Sequence, residues 1–134
     1  MSSLAAVLAR RTPPGVYRWH AAYDVGDVRH TVEHAGWRFG YLDGWLSVTK
    51  PEVLAALGEA LDFPDYYGGN LDALEECLAD VEGPTVLLWD GWSTLARSDE
   101  STFRTLVAIF AARSETLSVL LRGDGPEVDL PSLD

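Results

Sequence analysis

The chain has 134 residues, 47% of them hydrophobic, and carries 21 acids against 10 bases for a formal charge of −11. That length builds one core burying roughly two-thirds of the extended chain's surface, which excludes two full domains, and the apolar content excludes global disorder. The acidity excludes direct binding to nucleic acid or an anionic membrane, since Lys and Arg supply most of the affinity for both.

Residues 1–14 predict a short helix or arm that stops at Thr12-Pro13-Pro14, where two prolines remove backbone donors. The apolar run from Leu4 to Ala9 precedes Arg10 and Arg11 and lacks a cleavage site, so no signal peptide is expected. The aromatic and β-branched run from Val16 to Tyr23 predicts a strand. Asp24 then caps a helix to Ala35 that ends at Gly36, with Val25, Val28, Val32 and Ala35 on its buried face. A strand over Trp37–Leu42 closes at the Asp43-Gly44 turn. Thr49 and Glu52 have capping-box spacing and Pro51 falls in the first turn, which predicts a helix over Lys50–Leu61. The loop from Asp62 to Gly69 leads to Asn70, the cap of a second helix running to about Asp80.

After the Gly83-Pro84 break, the continuous apolar run Thr85–Trp89 predicts a strand covered by helices. A helical turn over Trp92–Ala96, an amphipathic helix over Glu100–Arg113 and a strand over Leu117–Leu121 follow, and residues 123–134 form a tail with little pattern. Trp19, Trp37, Trp45 and Trp89 are expected in the core, with Trp92 exposed. Strands alternating with helices predict an α/β fold with a small, mainly parallel sheet. No apolar stretch reaches the roughly 20 residues that cross a bilayer, and the single cysteine, Cys77, suits a reducing cytoplasm.

The charge has a local origin. Residues 51–100 hold twelve acids and one Arg, whereas residues 1–50 hold six bases and four acids. In the helix after Asn70, Leu71, Leu74, Leu78 and Val81 form an apolar stripe, while Asp72, Glu75, Glu76 and Asp80 gather on the opposite side. Asp72, Glu76 and Asp80 are spaced four apart and repel one another, with no base nearby to relieve them. Carboxylates on a rigid helix can imitate phosphates and dock into a basic cleft.

The run Phe63-Pro64-Asp65-Tyr66-Tyr67-Gly68-Gly69-Asn70-Leu71-Asp72-Ala73-Leu74-Glu75-Glu76-Cys77-Leu78 resembles the signature of the barstar family, intracellular inhibitors of secreted microbial ribonucleases such as barnase. The likeness extends more loosely from Trp37 to Leu121. It implies a single barstar-like domain: a βα extension over 1–35, a core of three parallel strands and helices over 36–122 with an extra N-terminal strand, and the tail. It further implies a non-enzymatic, cofactor-free cytoplasmic inhibitor, monomeric when free, that blocks a guanyl-preferring ribonuclease one to one. Tyr66, Gly68, Asn70, Asp72, Glu75, Glu76 and Asp80 would contact the enzyme, with Glu76 at the family's principal carboxylate. Glu76 stands for the Asp of the best-known member, Glu75 and Val81 for tryptophans, and Ala111 or Ala112 for an interface acid. These departures imply a differently shaped target.

Two other readings compete. One is an immunity protein against another basic toxin nuclease. The other is a small zinc hydrolase, because His30, Glu33 and His34 spell H-x-x-E-H, which sets two histidines one helical turn apart. That chemistry needs a third ligand and a cleft, in a chain usually much larger. Cys77, at the margin of the apolar stripe with acids nearby, is expected to pack rather than react.

Overall fold

The central strands are apolar on both faces, so helices must cover the sheet twice. The computed structural model describes residues 3–113 and 115–133; Met1 and Ser2 of the expected arm, Ser114, and Asp134 of the tail lie outside the described residues. In chain order the elements are α1 (Leu4–Leu8), β1 (Val16–Trp19), α2 (Val25–His34), β2 (Arg38–Asp43), α3 (Lys50–Ala60) and α4 (Leu71–Ala79), then β3 (Thr85–Asp90), α5 (Ser93–Ser98), α6 (Glu100–Ala111), β4 (Leu117–Arg122) and β5 (Ser132–Leu133). The strands lie in the order β2-β3-β4-β1-β5, and every neighbouring pair is parallel.

Alternation along the strands sorts two cores. Leu87 and Trp89 of β3 and Val119 and Leu121 of β4 pack with Leu54 and Leu57 of α3, Leu74 and Leu78 of α4, and Leu106 and Phe110 of α6. Val86, Leu88 and Leu120 face the other way, against Leu4 and Val7 of α1 and Val28 and Val32 of α2. The acidic helix and the N-terminal helices therefore cover opposite faces of the sheet. No described helix is long and apolar enough to cross a membrane.

Three expectations are corrected. β1 stops at Trp19, because the carbonyls of Ala21 and Tyr23 turn to accept from Nη1 of Arg122 at 3.3 and 2.6 Å. The tail, read as unpatterned, supplies β5: the Arg18 amide donates to the Pro131 carbonyl at 2.8 Å, and Leu133 is buried. Two residues of strand are too few to show a period. The tryptophans also trade places. Trp45 is 62% exposed and Trp92 fully buried, with Nε1 donating to the Gly123 carbonyl at 3.1 Å and its ring stacked 5.4 Å from Phe103. Trp45 lies flat on Gly91, where φ is +66° and a Cβ would come within 2.8 Å of the indole.

At the carboxyl ends of the strands, Arg122 makes a bidentate ion pair with Asp90, Nε to Oδ1 at 2.6 Å and Nη2 to Oδ2 at 2.9 Å. Tyr41 donates to the same carboxylate at 2.9 Å, and the guanidinium lies 5.6 Å over the Trp19 ring. Ends of β1, β2, β3 and β4 are joined in one network. Hydrogen bonding to Asp90 raises the Arg122 pKa, while burial first and then Asp90 push the Tyr41 hydroxyl well above its usual range.

Candidate functional site

α3 starts with a complete capping box: Thr49 Oγ1 accepts from the Glu52 amide, and Glu52 Oε1 accepts from the Thr49 amide at 3.1 Å. The amides of Val48 and Thr49 hold the Glu52 carboxyl below its ordinary pKa. At its far end Asp62 adopts φ +57°, a conformation Asp tolerates better than most residues, and the Phe63 amide returns to the Gly58 carbonyl at 2.9 Å. The loop is thereby folded back on α3.

Tyr67 fastens it. Its hydroxyl donates to the Leu54 carbonyl at 2.8 Å, its ring meets Phe63 edge-on at 5.0 Å, and it passes so close to Gly58 that a Cβ there would stand 2.7 Å from the ring. Burial pushes the Tyr67 hydroxyl up to about 12, with a smaller contribution from Cys77. Tyr66, next in line, turns outward and is 78% exposed. Asn70 Oδ1 then accepts from the Ala73 amide at 2.8 Å and starts α4.

On α4, Leu74, Cys77 and Leu78 are buried, while Asp72, Glu75 and Glu76 are exposed, as is Asp80 at its C-cap. At 100° per residue the four carboxylates span an arc of about 140°. Among the described residues none of them is paired with a base; the ion pairs found there join Arg104 to Glu100 and Arg122 to Asp90. Cys77, at the margin of the apolar stripe, is buried, and burial first, then Asp80 and Glu76, push its thiol up. A raised pKa disfavours the nucleophilic thiolate.

The fold thus brings Tyr66, Gly68, Asn70, Asp72, Glu75, Glu76 and Asp80 onto one loop–helix unit with a single sign of charge. Gly58 and Tyr67, which position it, escaped the sequence reading. A glycine inside an apolar helix was the available signal. His30 and His34 stack 5.9 Å apart on the exposed side of α2, and no group of three or more His, Cys, Asp or Glu among the described residues could hold a metal ion.

The family model described as barstar (barnase inhibitor) matches residues 37–128, more than half of the chain. The chain belongs to the barstar family. The match covers the loop, α4 and three of the five strands, and leaves α1, β1 and α2 outside. No curated protein matches the chain.

Solved structures share the architecture. A chain of Drosophila ORC bound to DNA is 17% identical with a TM-score of 0.62 over 84% of this chain. Aeropyrum pernix ORC2, in its ADPNP-ADP complexes, is 14% identical with a TM-score of 0.65 over 91%. A chain of Drosophila ORC bound to AT-rich DNA and Cdc6 is also 14% identical, with a TM-score of 0.55 over 90%. The aligned region spans only 33%, 40% and 43% of those chains, and at such identities the likeness is one of fold alone.

Proposed function

We propose that this protein is a stoichiometric inhibitor of a secreted microbial ribonuclease of the guanyl-preferring, barnase-like type. It blocks the enzyme's active site one to one with Tyr66, Gly68, Asn70, Asp72, Glu75, Glu76 and Asp80. The observation that carries this reading is the exposed acid face of α4, unpaired within the described structure and set beside an outward tyrosine in the segment matched by the family model. A basic cleft that binds RNA phosphates would find comparable charges there, held on a helix that need not reorganise. Glu76 takes the place of a bound phosphate. Residues 1–35 extend the same domain, and the inhibitor acts as a monomer in the cytoplasm of the producing cell.

Because α4 presents no aromatic side chain, electrostatics carries more of the recognition and salt weakens the complex steeply. The test is titration against a panel of secreted guanyl-preferring ribonucleases, barnase included, at low and high salt. Glu76→Ala is expected to weaken inhibition far more than Asp27→Ala, an exposed acid on the opposite side of the sheet. Equal effects, or no inhibition across the panel, would overturn the reading.

A further inference from the structure

Beside the loop–helix unit lies an open groove of about 410 Å³ with Trp37, Phe39, Leu61 and Val81 in its wall and the exposed acids Glu33 and Asp62 on its rim. Its position follows from the chain. Asp62 is the first residue of the loop and Val81 the residue after the α4 cap, so the groove is framed by the two ends of the acidic unit. The groove therefore adjoins both ends of the loop–helix unit.

The far wall comes from elsewhere. Glu33 and Gly36 belong to α2 and its exit, outside the residues matched by the family model. The aromatic floor is fixed, with Trp37, Phe39 and Leu61 each less than a tenth exposed. The Arg10 guanidinium lies 5.5 Å from the Trp37 ring and that of Arg29 4.9 Å from Phe39, so the N-terminal segment braces both rings. Val81 is small enough to leave the space open, and Arg38 is the one base in the lining against two acids.

We propose that this groove is a second part of the docking surface, receiving an apolar side chain of the same basic ribonuclease that covers α4; this rests on the inhibitor reading above. The acid face supplies charge and the groove supplies the apolar anchor that α4 lacks, with the anchoring residue on the enzyme instead of the inhibitor. Desolvated apolar anchors seated in preformed pockets dominate many protein interfaces, and rim charges add steering. The N-terminal βα unit therefore shapes specificity by building one wall.

The experiment compares Val81→Met and Ala60→Met, which fill the groove from two sides, with Glu33→Ala on its rim and Asp27→Ala as control, each titrated against barnase and the rest of the panel. Unfolding melts accompany each variant, and Ala60→Met stands in if Val81→Met does not fold. For any ribonuclease that the native chain inhibits, filling the groove is expected to raise Kd about tenfold or more, chiefly through faster dissociation. Glu33→Ala is expected to raise it about threefold at low salt and less at high salt. Folded groove-filling variants that bind as tightly as the native chain, or tighter, overturn the groove while a loss with Glu76→Ala leaves the inhibitor reading standing. If Glu76→Ala also changes nothing, or no ribonuclease is bound, the inhibitor reading falls and the groove with it.

Discussion

Replacing Gly58 with Ala should destabilise the protein, although Gly58 lies inside α3, where helix propensity favours Ala by about 1 kcal/mol. The new Cβ would stand 2.7 Å from Cδ2 and Cε2 of Tyr67, so the ring must move. Moving it disrupts the hydroxyl bond to the Leu54 carbonyl, worth about 1 kcal/mol, and the edge-on contact with Phe63, worth roughly 0.5–1.5 kcal/mol. Loss of packing around the half-buried ring adds about 1 kcal/mol. The opposing effects leave a net loss of about 1.5–2.5 kcal/mol, or roughly 5–12 °C in Tm for a chain of this size. Thermal unfolding followed by circular dichroism reads this directly. In a Tyr67→Ala background the clash is gone, and the same substitution should stabilise by up to about 1 kcal/mol. The sign reversal is the diagnostic result. If Gly58→Ala raises Tm in the native background, Tyr67 is not clamped against α3 and the account of how the loop is held is wrong.

Arg122→Met should cost about 2–4 kcal/mol, because it leaves the Asp90 carboxylate, 14% exposed, with Tyr41 alone. Arg104→Met, which removes an exposed helix pair, should shift Tm by little, and similar losses for the two would show the Arg122 network to be no more than a surface pair. Ser118 is fully buried with no partner for its hydroxyl, so Ser118→Ala is expected to leave stability unchanged or raise it by up to about 1 kcal/mol; a clear loss in urea unfolding would mean the hydroxyl is satisfied. Tyr67 ionises near pH 10 when unfolded but only at about 12 when folded, so its contribution is complete below pH 10 and lost as pH rises from 10 to 12. Tyr67→Phe should flatten the fall in stability across that window, with Cys77, Tyr17 and Tyr41, all shifted upward, accounting for the remainder; an unchanged slope would refute the burial of the Tyr67 hydroxyl.

The parts legible in the sequence were those with a local cause. Thr49 and Glu52 three apart, Asn70 before an apolar stripe, and the unbroken Thr85–Trp89 run each carry their structure within a few residues, and each forms nearly where it was expected. The acid face of α4 belongs to this group, since helical spacing alone sorts Asp72, Glu75, Glu76 and Asp80 from the leucines. What escaped depends on distant partners. Trp45 and Trp92 both follow glycines after a strand, and the distinction between them comes from the Gly123 carbonyl and Phe103 for one and the flat backbone of Gly91 for the other. The pairing of Ser132 and Leu133 with β1 and the groove shared by Glu33 and Val81 join residues with no periodic relation.

Open parallel sheets commonly take small ligands outside the carboxyl ends of their strands, in the crevice where neighbouring connections depart to opposite faces. β1 and β4 form that boundary here, since α2 covers one face after β1 and the tail residues Val128 and Leu130 cover the other after β4. Arg122 bridges it with the chain's own groups, reaching Asp90 on one side and the Ala21 and Tyr23 carbonyls on the other. The margin that usually receives a substrate is sealed from within. At the opposite margin, Arg38 and Thr85 open β2 and β3 beside Asp62 and Val81. The two ends of one sheet have thus divided their work, the first closed into a brace and the second left open for a protein to approach.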